Sequence, residues 1–140
     1  MANVIYNSFK KKIADGNIDL DTDTIKVLLV TSAYVPDQDL HDFKDDVTNE
    51  ITGTGYTAGG QALANKTVTQ DNTNNKAVFD ADDVVWASSS LTARGAVIYK
   101  DTGTAGTSPL IAYIDFSADK TSSNGNFTIQ WNASGILSLS

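Results

Sequence analysis

Cysteine is absent from this 140-residue chain, and histidine, arginine and glutamate occur once each, as His41, Arg94 and Glu50. Without cysteine there is no disulfide framework and no thiolate nucleophile, and stability does not depend on an oxidising compartment. Acid–base and nucleophilic chemistry draws mainly on His, Glu, Asp, Lys, Tyr and Cys set beside one another in tuned environments. A chain this poor in three of them points away from catalysis, and the expectation is no catalytic centre, no cofactor and no metal. Basic residues are also few, 10 Lys and Arg against 17 Asp and Glu, for a net charge of -7. A phosphate backbone is held by clustered cations, so nucleic acid is not an expected partner. The one basic run, Lys10-Lys11-Lys12, reads as the solvated face of a helix. No stretch of about 18 apolar residues is present to span a bilayer. Nor does the N-terminus carry the charged and apolar regions of a secretory signal. Synthesis in a cytoplasm, with no membrane partner, is the expectation.

What the chain does hold is Thr, Ser, Asn and Asp, which suit turns and solvated strand faces, and enough Val, Ile, Leu and Phe for one core. Residues 1–140 read as a single domain, a size that buries about two-thirds of the unfolded surface. Within residues 1–16, Ile5, Phe9 and Ile13 recur every fourth position and Gly16 is placed to end a short amphipathic helix. Three turns of helix do not persist alone in water. The stripe must therefore lie against the rest of the domain or against a neighbouring subunit.

After the polar turn Asp19–Asp23, the run Thr24–Tyr34 is apolar on both faces at its centre, the mark of a strand covered on both sides. Pro36 ends it. Leu40, Phe43 and Val47 stand at helical spacing and predict a short second helix within 37–47. Beyond Glu50 the pattern becomes short strands between turn clusters. Asp71–Asn75 is a hairpin turn with Lys76–Asp80 returning from it, and Val84–Trp86 and Ala93–Lys100 follow. In Leu110–Phe116, Leu110, Ala112, Ile114 and Phe116 share one face, and in Phe127–Trp131 so do Phe127, Ile129 and Trp131. Strands at intervals of about 10 residues predict a mainly β fold, an antiparallel sandwich of about seven or eight strands with one N-terminal helix.

Several constellations invite a chemical reading and are better explained without one. Gly53-Thr54-Gly55-Tyr56-Thr57-Ala58 matches a dinucleotide fingerprint, yet Gly59-Gly60 follow where a helix should begin. Asp19, Asp21 and Asp23 start like a calcium loop, but Thr24 and Val30 occupy the places of its glycine and glutamate. Asp80, Asp82 and Asp83 form a second acidic group. His41 stands beside Asp42, Asp45 and Asp46, without the G-x-S-x-G elbow of a serine hydrolase. The sequons at Asn65, Asn126 and Asn132 are matters of chance in a chain so rich in Asn, Thr and Ser. Among the aromatics, Trp131 shares its face with Phe127 and Ile129 and reads as buried. Trp86 and Tyr56 are freer and would serve a carbohydrate platform.

The stretches Asp42–Leu63 (DFKDDVTNEITGTGYTAGGQAL), Ala77–Trp86 (AVFDADDVVW) and Ala93–Asp101 (ARGAVIYKD) resemble a family of small structural proteins of tailed bacteriophages. The opening Tyr6–Leu29 is similar to that family's start, and Ser108–Phe116 (SPLIAYIDF) and Phe127–Leu137 (FTIQWNASGIL) to its end. The resemblance implies a virion component, a capsid decoration (cement) protein or a tail component. Its partners would be major capsid or tail subunits and further copies of itself. The helix residues Ile5, Phe9 and Ile13 and the loop residues Gly53, Gly55, Tyr56, Gly59 and Gly60 are the candidate assembly contacts, because glycines let a neighbouring backbone approach closely. The alternative is a carbohydrate-binding module at a tail tip.

Overall fold

A computed structural model describes residues 3–140. Its organising element is β2 (Ile25–Val30), whose β-branched and apolar residues bury both faces: Ile25, Val27 and Leu29 enter one cluster, Leu28 and Val30 another. β2 pairs along its whole length with β7 (Thr92–Lys100), which pairs on its other edge with β8 (Leu110–Thr121). Two short edges, β1 (Val4–Ile5) on β8 and β3 (Gln61–Ala62) on β2, complete a five-stranded sheet. A three-stranded sheet contains β4 (Thr67–Asp71), β5 (Lys76–Asp80) and β10 (Leu137–Leu139), with β5 in the middle. β6 (Val84–Ser89) and β9 (Gly125–Ile129) pair as a two-stranded ribbon. Every pairing is antiparallel.

The main core lies between the five-stranded sheet and the two smaller ones. Ile25, Val27, Leu29, Ala96 and Ile98 meet Phe79, Val84, Trp86, Phe127 and Ile129 there. The fold is thus mainly β and sandwich-like, with one short N-terminal helix. On its far side the five-stranded sheet is covered by the 31–50 connection, where Tyr6, Tyr34, Tyr99 and Tyr113 are each at most 1% exposed.

Four differences from the sequence reading have physical causes. The described residues form ten strands instead of seven or eight, because β1, β3 and β10 are too short to show an alternation. The helix predicted within 1–16 is α1 (Asn7–Ala14), with β1 ahead of it; residues 1–2 of that range lie outside the described residues. No second helix forms in 37–47, which holds a single 3-10 turn at Lys44–Asp46 and leaves Leu40 75% exposed. There Asp37 accepts from the Asp39 and Leu40 amides and Asp46 from those of Asp42 and Phe43, local bonds that compete with a helix. Finally, Leu110 does not share a face with Ala112. An irregularity between Ile98 and Tyr99 inserts Ile111 as an extra residue, so Leu110 pairs with Tyr99 in the second cluster.

Candidate functional site

The N-terminal stripe faces inward. Phe9 is fully buried in the main core, Ile13 and Ile5 are half-buried against it, and Ile5 is tied into the sheet opposite Ala112. Of the two dockings open to this stripe, the domain itself is the one observed, so these three side chains do not form a free contact surface.

The glycine loop is likewise built into its own domain. Glu50 Oε2 accepts from the Tyr56 hydroxyl at 2.5 Å and from the Gly59 amide at 2.7 Å. The Tyr56 oxygen in turn accepts from the Leu29 amide at 3.1 Å, and the Tyr99 hydroxyl donates to the Gly59 carbonyl at 2.6 Å. The lone glutamate therefore ties the loop together, while Tyr56 and Tyr99 fasten it to β2 and β7. Burial, and then the bond to Glu50, pushes the Tyr56 phenol well above its ordinary range. A Cβ at Gly53 or Gly55 would press on Ser90, Leu91 or Ser89, and one at Gly60 would overlap the Val27 carbonyl. These glycines admit the domain's own backbone, while Gly53 and Gly55 stay exposed on the outer rim with Thr52, Thr54, Thr57 and Ala58.

His41 joins no catalytic set. Its Nδ1 accepts from the Asp37 amide at 3.1 Å and lies 3.0 Å from the Tyr34 hydroxyl, which is 2.8 Å from that of Tyr6. With Nδ1 as acceptor, the ring proton sits on Nε2. The acidic groups are engaged within the domain, in one local turn and in longer-range contacts. Asp23 binds the Asp19 amide and Lys100, Asp82 accepts from the Asn65 side chain, and Asp83 from the Trp131 amide. Among the described residues no three His, Cys, Asp or Glu side chains gather as a metal site would require.

The two tryptophans exchange the roles the sequence suggests. Trp86 is 2% exposed, stacked near Tyr56 and edge-on to Phe127, so of the pair proposed as a sugar platform Trp86 lies inside and Tyr56 is half-buried against it. Trp131 is half-buried beyond the end of β9. Its indole N–H donates to the Asp82 carbonyl at 2.9 Å, which fixes the ring at the mouth of a groove.

That groove, about 510 Å³, is the concavity missed by sequence reasoning. Ile114, Phe116, Phe127, Ile129, Trp131 and Ile136 supply its apolar lining, Asn126, Thr128 and Gln130 its neutral polar lining, and Lys120 its one charge. No carboxylate lines it, in a chain with a net charge of -7. It opens between two strands: among the described residues β9 has a neighbour only on the β6 side, and the described pairing of β8 with β1 runs as far as Tyr113. The alternation Phe127, Ile129, Trp131 was the available signal. Nothing local announced the missing strand beside it.

No family model, curated protein or solved structure matches this chain.

Proposed function

We propose that the protein is a non-enzymatic structural subunit of a tailed-bacteriophage virion, a capsid decoration or tail component made in the host cytoplasm and carried in the particle. It acts through contacts with major capsid or tail subunits and with its own copies. One observation supports this reading above the others: the groove beside β9 offers apolar surface and a strand edge with no outer neighbour among the described residues, with Lys120 as the only titratable group of its lining. Such a site binds by shape and backbone complementarity. Meanwhile Glu50, His41, Tyr6, Tyr34, Tyr56 and Tyr99 are engaged in internal hydrogen bonds. The sequence resemblance supplies the particle, and the acidic balance suits a surface turned away from packaged DNA.

The test is to purify particles from a phage encoding this chain, quantify it by mass spectrometry and locate it in a density map. A fixed copy number at symmetry-related positions is the expected result. Its absence from particles, or a turnover activity abolished by His41→Ala, would refute the proposal.

A further inference from the structure

Resting on that assembly reading and taking it further, we infer that the groove beside β9 receives the free edge of β4 from a second copy of this chain, joining copies head to tail.

Edge strands expose unpaired backbone donors and acceptors, and soluble proteins protect them with short length, charges, proline or a covering loop. Most edges here are protected in one of these ways. β1, β3 and β10 are two or three residues long. The outer edge of β8 beyond β1 carries Asp115, Asp119 and Lys120, and its Asp115 amide is taken by Asn3. The outer edge of β6 is covered where Gln61 donates to the Val85 carbonyl at 2.8 Å and Thr54 bridges Ser90.

Two five-residue edges are the least protected. β9 (Gly125–Ile129) carries no charge and no proline, and the groove lies along its free side. β4 is the outer strand of its sheet, and Thr67, Val68, Thr69 and Gln70 are uncharged and exposed. Val68 stands directly opposite Phe79, on the inward face of the sheet, yet is 43% exposed because no strand lies beyond it. It is an apolar side chain without cover, facing the same way as a core residue. The groove is an apolar floor without a strand. Charge agrees as well: β4 has one charged residue, Asp71, and the groove lining has one, Lys120.

Backbone hydrogen bonds between the edges would provide affinity, and Val68 over Ile129 and Trp131 would provide register. Because the two edges differ, the contact is heterologous, and repetition gives a closed ring or an open filament.

The experiment measures the mass of the full chain by light scattering and sedimentation from about 1 µM to about 1 mM. Wild type should associate with concentration. Thr128→Lys and Val68→Lys, both at exposed positions that make no side-chain hydrogen bond, should each keep the sheet spectrum and weaken association by about tenfold or more. An equimolar mixture of the two variants keeps one intact β4 and one intact β9, and should form a dimer that grows no further. Wild type remaining monomeric throughout, or unchanged association in either variant, would overturn the inference. So would failure of the mixture to recover a dimer, the result expected if β9 pairs with its own copy. A chain that stays monomeric yet occupies particles overturns this contact alone. One that associates but is missing from particles overturns the virion reading instead.

Discussion

All five tyrosines have phenols held above their ordinary range, with burial the first cause in each. Tyr34 is pushed up to about 12. The perturbation that reads this out is alkaline pH. An unfolded tyrosine ionises near pH 10. The folded chain holds these protons more tightly, so the stabilisation is fully present below about pH 10 and is lost as pH rises towards the folded values. Each such group removes about 1.4 kcal/mol per pH unit in that window. Tyr6, Tyr34 and Tyr99, each at most 1% exposed, together remove about 4 kcal/mol by pH 11, a large part of the 5–15 kcal/mol typical of a domain. The hydrogen bond between Tyr6 and Tyr34 raises the Tyr6 phenol and lowers that of Tyr34, which burial still holds above its ordinary range. Tyrosinate absorbance and far-ultraviolet circular dichroism should be followed together as pH is raised. Ionisation should lag behind that of free tyrosine and then appear in the same cooperative step as loss of the sheet signal. Smooth titration of all five phenols near pH 10 with the sheet intact would refute the packing of the second core.

Phe9→Ala removes a fully buried ring from the main core and should cost about 3–5 kcal/mol, lowering Tm by about 10 °C or more in a thermal melt. A variant as stable as wild type would mean that α1 does not dock as described. Gly60→Ala should destabilise by about 3 kcal/mol or more, since its Cβ would overlap the Val27 carbonyl. Gly16→Ala, also at positive φ but with nothing near, should cost only about 1 kcal/mol; equal losses in denaturant unfolding would contradict the close approach at Gly60.

The longer elements were legible because each carries its own pattern. β2 declares burial on both faces through a continuous apolar run, and the Asp71–Asn75 turn declares its hairpin, with Asp71 accepting from the Thr73 and Asn74 amides as an Asx turn does. What failed was decided by partners distant in sequence. The spacing of Leu40, Phe43 and Val47 fits a helix, but the nearby aspartates bind the amides that a helix would need. The bulge at Ile111 shows no local signature, since both faces of β8 are apolar there and either register would bury them.

The candidate site was harder to read for a related reason: a groove is made by a strand that is not there. Alternation says which way a side chain points and says nothing about what lies in front of it. Phe127 and Trp86 are cross-strand partners on β6 and β9, and both look into the core, which removes Trp86 from the surface. Trp131 continues the same alternation but stands past Ile129, where β9 ends, and there its indole N–H and its amide are bound by Asp82 and Asp83. The glycines divide. Gly53 and Gly55 stay exposed, whereas Gly60 is required because the Val27 carbonyl of the same chain lies where its side chain would be. A residue type that permits close approach does not say whose backbone approaches. For β4 and β9 the question is reversed, since both are visible in sequence as short strands whose one charge is Asp71, and it took the sheet order to show that among the described residues each has a neighbour on one side alone.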